Sequence, residues 1–270
     1  MIIAVQNLST SVTDEDAYAM TVLCDRQARR DFAPAWGVQP STVIFLKQPS
    51  VLRYDAIIGI LDNADQAGDL GWHTEGPDAS VYGRVFARPV LENGGNALTD
   101  KLSVCSVLSH EVLETIGDAA CNGWAQRADG SLVAREVGDP VESDSYLLTV
   151  TTEEGTEVKG TVSDFVLPAW FDPDAAGSPY DYTGVLSSPF EVRPDGYVIV
   201  MTGGTVTSQW GERYPAWRKG TKEHPTARTA RRSQVYPDGS FHWPDPDALD
   251  KRPPVTGEDK NPVRPPTTLA

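Results

Sequence analysis

The residues of this chain best suited to chemistry sit together in Ser109-His110-Glu111-Val112-Leu113-Glu114. Imidazole and carboxylate are the usual ligands of a divalent cation, and a carboxylate beside such an ion can take a proton from water. Each residue of an α-helix turns about 100°, so His110 and Glu114 lie about 40° apart, one turn above the other. Glu111 flanks them, and Asp118 falls about 80° round from His110 on the same side. Their neighbours are apolar: Leu102, Val104, Cys105, Val107, Leu108, Val112, Leu113 and Ile116. A rod of that composition is buried on most of its circumference. Buried carboxylates and imidazoles are costly unless satisfied, and a divalent metal satisfies several of them at once.

The spacing departs by one residue from His-Glu-x-x-His, which gives zinc two ligands a turn apart with the intervening Glu as general base. Glu114 stands where that motif has its second His, and Gly117 falls where the metzincin branch of the zinc peptidases has its helix-ending Gly. Residues 109–118 thus resemble the zincin-like metallopeptidases, and more loosely phage and prophage proteins with a Ser-His-Glu-x-Leu-Glu helix. The resemblance is specific over this stretch and suggestive over residues 1–170. It implies an α+β, zincin-like mixed sheet around a central buried helix, and peptide hydrolysis with Glu111 as the catalytic base. It also implies a divalent metal, zinc, held by His110, Glu114 and a further acid: Asp118, Glu136 or Asp139. Two carboxylates to one imidazole damp the Lewis acidity of the ion and shift preference toward manganese or calcium.

Other residues bear on the site. His73, in Gly71-Trp72-His73, is either a half-exposed loop residue beside Trp72 or part of the cleft over the buried helix, as substrate contact or extra ligand. Tyr82 to Ala87 alternates as a strand does. In zincins an edge strand before the active helix holds extended peptide by strand addition, which makes Tyr82 a substrate-binding candidate. Glu136, Asp139, Glu142 and Asp144 crowd one segment. They form a solvated acidic loop, a source of ligands or supporting groups for His110, or a calcium loop without EF-hand spacing. Met201 precedes Gly203-Gly204, where metzincins place a Met turn, although core packing explains it equally. A metal-free alternative is a hydrogen-bond network anchored by Arg84, Arg88 or Arg135. No Gly-x-Ser-x-Gly elbow and no Gly-x-x-x-x-Gly-Lys phosphate loop occurs.

The elements that must position these groups are legible in outline. Ile2 to Gln6, Thr42 to Leu46 and Ala56 to Leu61 read as strands. Between the first two, Thr13 caps a helix whose first turn is acidic and whose end is basic. A strand–helix–strand opening predicts a parallel or mixed sheet. Asp62 to Glu75 reads as a turn-rich loop, and Thr99 or Asp100 as the cap of the central helix. Ser131 to Val137 reads as a strand. Tyr146 to Thr151 and Val158 to Leu167 form a hairpin. A second hairpin is expected from Phe190–Val192 and Gly196–Met201, turning at Pro194-Asp195-Gly196.

The 270 residues are divided into a zincin-like core over 1–170, a β-rich extension over 171–243 and a proline-rich arm over 244–270, extended or disordered. The net charge of −15 is uneven: residues 212–232 carry two acidic and seven basic side chains, giving +5. An acidic body argues against general nucleic-acid binding. No apolar run of about 18 residues and no charged-then-apolar leader is found, which predicts no spanning helix, no secretory signal and synthesis in the cytoplasm. Cys24, Cys105 and Cys121 then read as reduced thiols, a Cys105–Cys121 disulfide being the less favoured alternative. Three functions follow: a metal-dependent peptidase acting on polypeptide, an inactive zincin-derived structural protein such as a virion component whose arm clasps neighbouring subunits, and a module that binds extended peptide without cutting it.

Overall fold

The computed structural model describes residues 1–47, 53–65, 68–75, 79–152, 154–177 and 179–219. The expected arm, 244–270, and most of the basic segment lie outside the described residues. In chain order come β1 (Ile2–Asn7), α1 (Asp14–Gln27), a π-helical turn (Ala28–Phe32), α2 (Ala33–Trp36), β2 (Thr42–Leu46), β3 (Ala56–Leu61), β4 (Gly71–Glu75) and β5 (Val81–Phe86). Then follow α3 (Ala87–Glu92), α4 (Val104–Asp118), β6 (Trp124–Gln126), β7 (Leu132–Ala134), β8 (Ser145–Thr151), β9 (Glu157–Ser163), β10 (Tyr197–Thr202), β11 (Thr205–Trp210) and α5 (Ala216–Lys219). The fold is mixed α+β.

The main sheet has the order β2-β1-β3-β5-β4. β2, β1, β3 and β5 are parallel, and β4 returns antiparallel along the outside of β5. All six residues of β3 are buried, as a continuous apolar run in a parallel sheet must be. Thr13 starts α1 by accepting the Asp16 amide at 3.0 Å, and Gly37, in the left-handed region at φ 64, ends α2. α1 and α4 lie on one face of the sheet: Met20 and Leu23 share a core with Val104, Leu108 and Val112, with Ile58 and Ile60 of β3, and with Val81 and Val85 of β5. The β8–β9 hairpin closes this core through Leu148 and Val162.

A second core explains why α4 is apolar almost all round. Leu113 turns away from the sheet and packs with Phe32, Val133, Val137, Phe165, Trp170 and Val198. Residues before and after position 170 both contribute to it. Trp170 is fully buried in the short 3₁₀ turn Pro168–Phe171.

Several expectations need correction. Asp62 to Glu75 is not all loop, because its last five residues form β4. β5 is interior, flanked by β3 and β4, so its backbone has no open edge for a peptide. Ser103, not Thr99 or Asp100, caps α4: its hydroxyl accepts the Ser106 amide at 3.0 Å, and Ser106 Oγ accepts the Ser103 amide at 3.1 Å. Asn96 Oδ1 accepts the amides of Leu98, Thr99 and Asp100, which holds those residues in a turn ahead of the helix. The strand expected over 131–137 stops at Ala134. The second hairpin pairs β10 with β11 around Gly203-Gly204, both at positive φ, and Met201 lies within β10 opposite Val206. All three cysteines are buried free thiols; burial pushes the Cys105 thiol up to about 12.

Candidate metal centre

α4 delivers three side chains to one place, as its periodicity requires. His110 Nε2 lies 3.1 Å from Glu114 Oε1, one turn along. Asp139 reaches the same nitrogen from outside the helix, its Oδ1 at 3.3 Å. After β7 the chain leaves the sheet and turns against α4. Val137 packs so closely that a Cβ on Gly117 would approach its Cγ1 to 2.9 Å. Gly138 then passes the His110 ring with no room for a side chain: a Cβ there would meet Nδ1 at 2.4 Å. Its amide donates to Glu114 Oε1 at 3.3 Å. The Asp139 carboxylate arrives through this contact.

The other oxygen of Glu114 faces β4. Alternation along that strand sends Trp72 to the outer face of the sheet and His73 toward α4. His73 Nδ1 lies 3.7 Å from Glu114 Oε2 and 3.5 Å from Glu111 Oε2. Its Nε2 lies 3.0 Å from the Asp118 carbonyl. A carbonyl only accepts, so Nε2 carries the proton and donates it. In the neutral ring the Nδ1 lone pair is then aimed at the carboxylates. Gly71 gives β4 its close approach, since a Cβ there would come within 2.8 Å of Glu111 Oε1.

Two groups of ligand atoms result, each within 4.8 Å of one another: His110, Glu114 and Asp139, and His73, Glu114 and Glu136. These buried groups could bind a metal ion. An ion with four ligands at 2.0–2.1 Å holds them roughly 3.3 Å apart. The separations of 3.1 to 3.7 Å between imidazole nitrogen and carboxylate oxygen are of that size. The donors, imidazole nitrogen and carboxylate oxygen, suit a divalent transition ion. Burial opposes charge on His110, but Glu114 and Asp139 outweigh it and hold the imidazole's proton affinity well above the ordinary value. Such a field favours any cation at Nε2.

The site opens on one side. A cleft of about 360 Å³ has His110 and Glu111 on its floor, with Leu70 and the first residue of β4, Gly71, on one wall and Tyr197, Trp217 and Arg218 on others. Glu111 is 2% and His110 7% exposed, whereas His73 and Glu114 are fully buried.

Of the residues expected at the site, His110, Glu111, Glu114, Glu136, Asp139 and His73 converge. His73 is a buried strand residue, not a half-exposed loop residue. Asp118 joins neither group. Its carboxylate accepts the amides of Asn122 and Gly123, at 3.2 and 2.9 Å, as the chain leaves the helix, and only its carbonyl reaches the site. Tyr82 stands on the sheet face away from α4, against Trp72 with ring centroids 5.7 Å apart. One residue along a strand reverses the face, which removes Tyr82 from the cleft. Arg84 binds Asp65, Arg88 binds Asp62 and Asn63, and Arg135 lies over Trp36. What the spacing argument missed is the double use of Glu114. The alternation around Trp72-His73-Thr74 was the one signal that could have placed His73 on the helix side.

In comparison with known proteins, no family model, no curated protein and no solved structure matches this chain.

Proposed function

We propose that the protein is a zincin-like, metal-dependent hydrolase acting on peptide bonds. One observation carries the reading: a helix places an imidazole and a carboxylate a turn apart beside a third ligand, with Glu111 next to them on the floor of an open cleft. His110, Glu114 and Asp139 would hold a divalent ion, which would supply Lewis acidity toward a carbonyl and a water molecule. The chain's own residues do the rest. Glu111 stands at the cleft floor to accept the proton from water and pass it to the leaving amine. Gly138 and the Asp139 carboxylate fix the His110 ring, while the Asp118 carbonyl fixes His73. β4 ends the sheet next to α4, so an extended peptide would add along its outer edge.

The test is metal content followed by turnover. Purified protein should retain a divalent metal, and cleavage of a peptide library should vanish in Glu111→Gln with metal and fold intact. Metal retained with no cleavage of any peptide by the parent protein would remove the enzyme.

A second reading has one observation in its favour. Trp217 and Arg218 stand in the cleft wall, and Arg218 Nη2 is 2.5 Å from Glu142 Oε1. A segment so bound suits a structural protein, such as a virion component, in which the metal site braces the fold and the residues after 219 reach a neighbouring subunit.

A further inference from the structure

We propose that the site holds two divalent cations, bridged by the Glu114 carboxylate, one at His110 and Asp139 and the other at His73 and Glu136. The inference rests on the metal-site reading above and goes beyond it in the number of ions and the work of each residue.

Three observations converge. First, the two oxygens of Glu114 are divided between the imidazoles: Oε1 faces His110 Nε2 at 3.1 Å and Oε2 faces His73 Nδ1 at 3.7 Å. Among the described residues the ligand atoms form two sets of three that share only Glu114, and neither set contains both histidines. A single ion takes only one of the two sets. Second, the acids are enclosed. Glu111, Glu114, Glu136 and Asp139 are all buried, and carboxylates gathered in a low-dielectric interior are stabilised by cations set among them. Third, the Asp118 carbonyl takes the Nε2 proton of His73 and directs its Nδ1 lone pair inward. A carbonyl behind the ring is the usual device for orienting a metal-bound histidine.

The two positions differ in access. His110 lines the cleft, whereas His73 is fully buried and does not. The ion at His110 is the one water and substrate can reach. The ion at His73 neutralises Glu136 and the second oxygen of Glu114, and ties β4 to α4. Paired ions about 3.5–4 Å apart are a known arrangement for hydrolysis, aminopeptidases included.

Manganese counts the ions and reports their coupling. The full chain is stripped with a chelator, reloaded with Mn²⁺, desalted, and examined by elemental analysis and electron paramagnetic resonance. Two ions per chain with an exchange-coupled spectrum are expected. Asp139→Asn should retain only the sealed ion and Glu136→Gln only the cleft ion, each with the uncoupled six-line spectrum of a lone Mn²⁺. Glu114→Gln should lose coupling and at least one ion. If that variant fails to fold by circular dichroism, the other two still decide. The chelator should remove the ions of the parent in two phases, at least tenfold apart in rate. One ion per chain in the parent overturns the pair and leaves the proposed function standing. No ion in a folded parent overturns both.

Discussion

His73 donates its Nε2 proton to the main-chain carbonyl of Asp118 across 3.0 Å, and this contact joins the edge strand of the sheet to the last turn of the central helix. The same carbonyl accepts the Cys121 amide at 2.9 Å as the chain leaves the helix, and its second lone pair takes the histidine proton and fixes the tautomer. In nitrogen-resolved NMR of the metal-loaded protein, the His73 Nε2 proton should be visible and slow to exchange. A proton on Nδ1 instead would turn the lone pair away from the carboxylates and end the argument for a ligand there.

Gly138→Ala tests how the cleft-side ligands are held. The added carbon would sit 2.4 Å from His110 Nδ1, so ring or loop must move. Disturbing such a supporting contact typically weakens metal affinity 10–100-fold. A drop of about tenfold or more is expected in metal titrations, with an unchanged circular dichroism spectrum. Parental affinity would show that the loop does not set the His110 position.

Glu111→Gln keeps the shape of the cleft floor and removes the proposed proton acceptor. Loss of a positioned general base costs about 10²–10⁴ in rate. Substrate binding and metal content should persist. A variant that still cleaves at the parental rate assigns the proton transfer elsewhere.

Away from the site, burial and the neighbouring Asp181 push the Asp164 carboxyl up from 3.8 to about 8. The folded protein therefore keeps a proton that the unfolded chain releases near 3.8. Between these values the folded state binds more protons, so stability falls as pH rises. The contribution is fully present below the unfolded value and is lost through about pH 8. Its slope is at most about 1.4 kcal/mol per pH unit. Asp164→Asn should flatten the profile between pH 5 and pH 8 in denaturant titrations. An unchanged slope would acquit Asp164. Asp181 works oppositely: burial alone would raise it, but hydrogen bonds from Asp164 and from the amides of Val185 and Leu186 hold it below 3.8. Its share is lost only in acid below that value.

Arg218 and Glu142 form a largely enclosed pair at 2.5 Å, with the guanidinium also over the Tyr214 ring at 5.4 Å. Removing one partner of such a pair leaves a buried charge, at a cost of about 3 kcal/mol. Thermal melts should show Arg218→Ala strongly destabilised and Arg218→Ala with Glu142→Gln partly recovered. Equal losses in the single and double variants would mean that the two side chains are not coupled.

The central helix, its apolar surround and the His110–Glu114 spacing were legible without coordinates, because helical periodicity is a local property of the chain. So were the parallel strands, whose uninterrupted apolar runs mark burial on both faces. The alternation of Tyr82 was legible as well, but not its direction, since a strand pattern shows two faces and does not say which one meets the helix. Strand order decided that β4 and not β5 is the edge, and it put His73 under the helix. The loop after β7 decided that Asp139 joins His110 and Glu114 while Glu136 joins His73 and Glu114, and Asp118 turns its carboxylate to the chain's own amides. These relations join residues up to 63 positions apart, as between His73 and Glu136. No local preference encodes such contacts. They exist because the sheet and the second core press on α4 from opposite sides and bring its polar residues together with His73, Glu136 and Asp139.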